Sequence, residues 1–574
     1  MIENNPSAER PLVQRPQNQK LTFSKPEKEP HIPKAPGNIT PFSELGTPEE
    51  KLQWWAPFGW LLVAFFTLFI LAVFVVLAPL LIIALLIQVL SKRNRKFHRD
   101  PKSLRIAIIG AGWAGLQCLE RFKRHGVESV DVFERYSDIG GTWNSNLRYK
   151  DLQIHGSMTV TSFDNFPYSK VPDIQGGKVM GEEVERYIHR FTEAKGLRPH
   201  VQFNSQVDRV NYRSDERTAT ISITDTSTGQ SKESQPYDMV IWASMAAYGN
   251  LPEIPGSETF NGNQYHTTKY KSEQFDDIIA NNKKVIVVGG GKAACDIVLS
   301  LRRAGYHNYK WIMRKPYLFY RYEVLLHDGS FINKVRGASY LCTVLWTGVS
   351  LKLGAILHWA SGHLAALDKP HTDFKHFHGG MLCATQRKDL KGVSFTKGEI
   401  AQFKENGVLL KDGTEEECDV VIWATGNRSG IDTVQLKKDG EKFELDTKAQ
   451  LYNHFIVPEI PAMASTTALW TSFGPMRATN AADLTLYHLC VRKELSQEYM
   501  QKQAKRLMSK NSLIHSFIWA PSTNWLQQWV YFHIDLMLCG LTPLSSFLKH
   551  ALEVFVLSKE TPLQFKILPK GHNF

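Results

Sequence analysis

No two of the seven cysteines, Cys118, Cys295, Cys342, Cys383, Cys418, Cys490 and Cys539, stand in a CxxC or CxxxxC spacing. That absence speaks against a zinc knuckle, a disulfide scaffold and a dithiol–disulfide reductase, and it fits a reducing compartment. No solenoid-type repeat is present, and no metal-ligand set is evident. The net charge of +12 comes without any Lys/Arg tract interleaved with aromatics inside the folded part, so a nucleic-acid partner is not expected. The densest basic run, Lys92, Arg93, Arg95, Lys96, Arg99, Lys102 and Arg105, directly follows an apolar segment. That position favours a membrane surface.

Charge is also missing where it is most telling. Residues 1–52 are rich in Pro, Asn, Gln, Glu and Lys and read as a disordered tail. From Gln53 to Ser91 there is then no charged side chain. The apolar core, Phe58 to Ile87, would make roughly 45 Å of helix at about 1.5 Å per residue, against a hydrocarbon core of about 30 Å. We therefore expect a single transmembrane anchor over 53–91, with a re-entrant hairpin bent at Pro79 and a buried core helix as alternatives. Trp54, Trp55 and Trp60 suit an interface, and the basic cluster beyond Leu90 suits the cytosolic side. Two further apolar stretches, Tyr340 to Leu367 and Leu513 to Leu557, contain polar residues and read as core helix or as a membrane-resting surface.

After the anchor the pattern is α/β. Arg105 to Gly110 reads as a buried parallel strand running into Gly110-Ala-Gly112-Trp-Ala-Gly115, followed by a helical stretch to His125. A second strand, Val130 to Phe133, ends in Glu134, 19 residues after Gly115. Strand, glycines, helix, strand and acid together form a dinucleotide fingerprint. The glycines permit a tight turn, backbone approach to a pyrophosphate and close helix packing, and the carboxylate accepts from a ribose. The pyrophosphate sits on the helix N-terminus, where free N–H groups favour negative charge. Gly140-Gly141-Thr142-Trp143 follows, two glycines and a flat apolar wall.

The grammar repeats downstream. Lys284 to Val288 is a buried strand entering Gly289-Gly290-Gly291-Lys292-Ala293-Ala294, an allowed GxGxxA form, and a helix to Arg303. The next strand, Lys310 to Met313, ends in Arg314-Lys315, where the first site has Glu134. A cationic pair at that place suits a 2′-phosphate, hence NADPH over NADH. Two ordinary surface basic residues are the alternative.

With both sites placed, the chain from about Leu104 to Gly430 resembles the class B flavin-dependent monooxygenases. Four motifs carry the likeness: Gly110–Gly115, Gly140–Trp143, Gly289–Ala294, and the linking segment Phe260-Asn-Gly262-Asn-Gln-Tyr-His266-Thr-Thr-Lys-Tyr270, which matches the FxGxxxHxxxY/F identifier. Ala424-Thr425-Gly426 resembles the family's ATG motif. Its first-domain counterpart reads Ala243-Ser244-Met245 instead. Tyr270-Lys271 is similar to the heteroatom-oxygenating and plant auxin-biosynthetic branches, whereas Leu152-Gln-Ile154-His155 resembles the auxin-type branch, animal N/S-oxygenating members usually having Asn at the place of His155. Baeyer–Villiger members usually carry Trp where Tyr270 stands. The anchor and tail lie outside the resemblance.

The resemblance implies two Rossmann-like domains for FAD and NADPH, behind the transmembrane helix. It also implies the use of O2 through a flavin C4a-(hydro)peroxide to oxygenate a small organic substrate at N, S or an α-keto acid. A Baeyer–Villiger enzyme and an NADPH oxidase or reductase without oxygen insertion remain alternatives, and a degenerate membrane-bound binding module is a third. The cofactor-binding residues are expected to be Gly110, Gly112, Gly115, Glu134, Thr142, Trp143, Gly289, Gly291, Ala294, Arg314, Lys315, Thr425 and Gly426. His155, near the flavin by resemblance, is the catalytic candidate, with a plain structural histidine as the alternative. The expected organisation is an FAD part over 92–270, an NADPH part with an apolar insert over 271–400, an FAD return over 401–510 and a C-terminal apolar segment over 511–574. The expected setting is the endoplasmic reticulum membrane, catalytic part in the cytosol, with membrane lipid, O2 and a small molecule as partners.

Overall fold

The computed structural model describes residues 40–41, 54–69, 98–154, 162–163, 166, 177–178, 180–244, 248–314, 317–321, 335, 339, 351–366, 377–382, 384–428, 430–445, 451–452, 455–466, 474–491 and 495–508. His155, Lys315 and the segment 513–557 lie outside them.

Two all-parallel five-stranded sheets organise the chain. In the first, β1 (Arg105–Ile109) lies between β2 (Ser129–Phe133) and β3 (Met239–Trp242), with Val201–Gln202 and Met463–Ser465 at the edges. In the second, β4 (Val285–Val288) lies between β5 (Tyr309–Met313) and β6 (Val420–Trp423), with Asn263–His266 and Thr396–Lys397 outermost. The second sheet thus takes in Asn263–His266 and Val420–Trp423, both beyond the expected limits of 271 and 400.

The alternation of side chains along each central strand explains the layering. Ile106 and Ile108 of β1 face a core formed with α1 (Trp113–Arg124) and the helix Gly181–Ala194. Ala107 and Ile109 face a second, largely antiparallel sheet built from Ser205–Arg213, Thr218–Asp225 and their neighbours. The second domain repeats the scheme. Val285 and Val287 pack toward α2 (Lys292–Arg303), while Ile286 packs toward the small meander Ile400–Lys404, Gly407–Leu410, Glu415–Glu417. Strands buried on both faces read as unbroken apolar runs, which is why both were visible in the sequence.

A buried ion pair locks the first fingerprint helix. Arg121 donates to both oxygens of Asp483, at 2.6 and 2.8 Å, from within α1 to α3 (Gly474–Leu486). His125 Nε2 lies 3.2 Å from the same carboxylate, which is fully buried. Burial alone would push this carboxyl up, but Arg121 and His125 outweigh it and hold it well below the usual carboxylate range.

The start of the apolar run is helical over residues 56–69, and residues 70–91 lie outside the described part. Among the described residues no helix is long and apolar enough to cross a membrane, so the expected span is not seen as such. What is seen is a two-faced helix. One face is buried through Ala56 and Val63, and a Cβ on Gly59 would lie 2.1 Å from the Ala360 carbonyl oxygen. Trp60 Nε1 donates to Ser361 O at 3.1 Å. The helix therefore docks on the end of Leu351–Ala360, inside the second apolar stretch. Its other face leaves Phe58, Leu61, Phe65, Leu68 and Phe69 exposed.

Candidate functional site

Both glycine loops sit at the carboxyl end of the central strand of their sheet, where open parallel sheets bind ligands. The first loop turns at Gly110 (φ +104°) and the second at Gly289 (φ +134°), values open to glycine and costly for other residues. Each turn is fixed by the same bond: Gly110 N donates to Phe133 O at 2.8 Å, and Gly289 N donates to Ile312 O at 2.9 Å. Gly112 and Gly291 then cap α1 and α2 with no side-chain cap bond, leaving bare N–H groups at each helix start.

The third fingerprint position differs between the loops for a steric reason. A Cβ on Gly115 would lie 1.9 Å from the Gly110 carbonyl oxygen, so only glycine fits. Ala294 occupies the matching place in α2 and is fully buried. Gly140–Trp143 folds back onto the first loop. Gly140 N donates to Ala111 O at 3.1 Å, and a Cβ on Gly141 would lie 3.0 Å from Gly112 Cα. Two bare backbones thus face each other beside the α1 N-terminus. Trp143 is half-buried against the first core and Thr142 is exposed.

Glu134 follows β2 and is buried. Its Oε2 accepts from Ala111 N at 2.8 Å and its Oε1 from Tyr136 N at 3.0 Å. Burial pushes its carboxyl up, and those two backbone donors oppose the shift. A carboxylate offers about four lone-pair directions, so both oxygens keep acceptor capacity. The first domain therefore presents an acceptor at the strand end. At the matching place in the second domain Arg314 presents an exposed cation, with Glu399 near enough to feel its charge.

The structure also reveals a joint that the motif match located without explaining. The chain leaves the first domain through Tyr248–Gly249 and comes back through Asn427–Arg428, and these two strands pair antiparallel. Asn250 N donates to Gly426 O at 2.9 Å, and Thr425 Oγ1 donates to Asn250 O at 2.5 Å. His266 of the identifier segment is buried, with Nε2 2.8 Å from Gly426 O, and burial lowers its pKa, which keeps the ring neutral near pH 7. So Thr425 and Gly426 are tied to the crossing, and His266 and Asn250 join them there.

Gly249 completes this joint, because a Cβ there would lie 2.3 Å from the His266 ring. Gly249→Ala is expected to cost about 1–3 kcal/mol, as overpacking usually does. In a His266→Ala background, which lacks the ring, the same glycine change should cost less, so the parent, the two single variants and the double variant form a cycle. Thermal denaturation of the four proteins checks it, and a Gly249→Ala protein as stable as the parent would contradict the contact.

Among the described residues no group of His, Cys, Asp and Glu could hold a metal ion. The family model for flavin-binding monooxygenase-like proteins matches residues 103–459. Flavin-containing monooxygenase 5 of Oryctolagus cuniculus is 26% identical over 344 residues, covering 56% of this chain and 61% of the relative. Flavin-containing monooxygenase 3 of Homo sapiens is 28% identical over 354 residues, covering 56% and 62%. The matched stretch spans about three fifths of these curated relatives. Among solved structures, OTEMO in complex with FAD and NADP superposes with a TM-score of 0.54 at 15% identity, covering 75% of this chain and 98% of that one. Cyclohexanone monooxygenase from Rhodococcus sp. Phi1 bound to NADP+ gives 0.52 at 15%, with coverage of 75% and 98%. At these identities the structural likeness is one of fold.

Proposed function

The chain belongs to the flavin-binding monooxygenase-like family, and from that premise we propose that it is an NADPH- and O2-dependent flavoprotein monooxygenase acting on a small organic substrate. The observation that carries this reading is the pair of matched glycine loops, one followed by an acid and the other by a cation. The first loop fits FAD. Gly112 and Gly141 leave a cradle that a Cβ would fill, bare N–H groups of α1 suit a pyrophosphate, and Glu134 suits a ribose. Thr142 and Trp143 border the same cradle. The second loop fits NADPH through Gly289, Gly291 and Ala294, with Arg314 beside a 2′-phosphate. When bound, FAD supplies electron storage and reaction with O2, and NADPH supplies the hydride. The chain's own residues bind and orient.

Arg314→Ala should weaken binding of NADPH far more than binding of NADH. A charge-assisted hydrogen bond is worth roughly 1.5–3 kcal/mol, or about ten- to hundredfold. Titrating both coenzymes against parent and variant checks this. Equal losses would remove the 2′-phosphate assignment.

We further propose amines, sulfides or α-keto acids as the substrate class, supported by Tyr270 standing where ketone-oxygenating members carry Trp. The decisive experiment follows 18O2 into product with a panel of amines, sulfides, α-keto acids and ketones. Label in a heteroatom or decarboxylated product supports the reading. Label in an ester or lactone would move the chain to ketone chemistry. NADPH consumption matched by H2O2 with every compound would make it an oxidase.

For location, we propose that the exposed face of the helix at 56–69 begins a membrane anchor of the endoplasmic reticulum, with the nucleotide domains in the cytosol. Support comes from its six exposed large apolar side chains, Leu62 among them, and from the uncharged run that continues to Ser91.

A further inference from the structure

The face of α2 that looks toward the first domain is polar, and a packed core alone does not require that. Lys292, Asp296 and Ser300 recur every fourth residue, so they share one face. All three are buried, Lys292 and Asp296 to 4% and 3% exposure. Lys292 forms a short ion pair with Asp296 Oδ1. The other oxygen, Oδ2, accepts from the hydroxyl of Tyr149 at 2.9 Å. Ser300 donates to Asp151 Oδ2 at 2.5 Å. Tyr149 and Asp151 belong to the segment that follows the Gly140–Trp143 loop of the first domain.

That segment is held hard against the second domain along its length. Lys150 N donates to Tyr270 O at 3.1 Å, Lys271 Nζ donates to Ser145 O at 3.1 Å, and Gln386 Nε2 donates to Gln153 Oε1 at 3.2 Å. Asp151 sits at φ +60°, a left-handed conformation that costs energy for a residue other than glycine and persists only when its surroundings impose it.

Lys292 is the first residue of α2, directly after the Gly291 cap. A cation there opposes the helix dipole, whose positive end favours anions. Burying an ion pair is no efficient route to stability either, since apolar replacements of the same volume are often as good or better. The pair is better accounted for by what it connects. One end touches the loop that would cradle the coenzyme phosphates. The other end, through a single carboxylate, holds a hydroxyl of the domain that would hold the flavin.

We propose that Asp296 is a positioning residue: by holding Lys292 and Tyr149 on its two oxygens, it sets the second nucleotide site against the first, so that hydride donor and acceptor meet in register. The proposal rests on the two-nucleotide reading above. It concerns alignment and not affinity. Small misplacements of reacting groups are costly in rate, with about 1 Å worth up to about a hundredfold.

The test uses the full-length FAD-loaded protein and three variants: Tyr149→Phe, Lys292→Met and the double variant. Under anaerobic conditions, the rate of flavin reduction at saturating NADPH should fall about tenfold or more in each single variant. The dissociation constant for NADP+ in Tyr149→Phe, measured by calorimetry, should stay within about threefold of the parent. The shift in flavin absorbance caused by NADP+ should shrink in step with the rate. Because both arms act through one carboxylate, the double variant should be no slower than the slower single one. Reduction within about twofold of the parent in both single variants would overturn the proposal. So would independent, multiplying losses in the double variant, or a fall in rate that comes only with lost flavin and lower thermal stability. If the parent flavin is not reduced by NADPH at all, the two-nucleotide reading fails, and that result is distinct from any of these.

Discussion

Purified Gly115→Val protein is expected to be colourless. The Cβ alone would sit 1.9 Å from the Gly110 carbonyl oxygen and 3.4 Å from Ile108 Cγ2. Backbone must move, and the backbone in question is the turn between β1 and α1. Relief requires pushing the first turn of α1 away from the sheet, which carries its N–H groups off the pyrophosphate position. The matching control is Gly398→Ala. That added Cβ would meet Leu410 Cδ1 at an ordinary 3.5 Å, far in the chain from either loop, and should leave the flavin-to-protein absorbance ratio unchanged. Full flavin absorbance in Gly115→Val would mean that the first loop is not the flavin site.

Asp483→Ala should be strongly destabilising. It strands the Arg121 guanidinium in the core, and breaking a buried pair from one side costs about 3–5 kcal/mol. Removing both charges in Arg121→Met/Asp483→Leu should recover most of that loss, because no uncompensated charge remains. The pH dependence follows from the sign of the shift. The folded carboxyl titrates below its unfolded value, so its stabilisation is complete above the unfolded value and is lost only as pH falls toward the folded one. Thermal transitions measured at pH 8, well above the unfolded carboxylate value, should therefore show the full deficit in Asp483→Ala. A variant as stable as its parent would contradict the buried geometry.

The two nucleotide loops were legible because their requirements are local. A strand buried on both faces must be apolar throughout, a turn at φ above +100° calls for glycine, and an acid or cation at the next strand end is a fixed distance on. Glu134 and Arg314 each directly follow the strand after their glycine loop. What stayed hidden depends on partners remote in sequence. Asp483 meets Arg121 more than 350 residues away, and Tyr149 meets Asp296 across a domain boundary. Nothing in the neighbourhood of either acid marks it as paired. By sequence the edge strand Asn263–His266 falls within the first FAD part, because a four-residue strand with two polar members carries little pattern; its pairing with Val420–Trp423 puts it in the second sheet. In the sequence the apolar run from Phe58 reads as a membrane span, with a hairpin and a core helix as alternatives. Its described part has two faces, a distinction that comes from the later chain at Ala360 and Ser361.

The paired crossing strands bear on how such a chain can fold. The first sheet needs Met463–Ser465 beside Met239–Trp242, yet the whole second domain is threaded between them. For an open chain, closing so long a loop would be slow, even though the entropic cost rises by only about 0.6 kcal/mol per doubling of length. A folded second domain removes most of that search. Its ends emerge as hydrogen-bonded neighbours, Tyr248 opposite Arg428 and Gly249 opposite Asn427, with Cα atoms about 5 Å apart as in any antiparallel pair. Seen from the first domain, the inserted chain then behaves as a hairpin turn, and the inner domain acts as a template that shortens the contact order of the outer one.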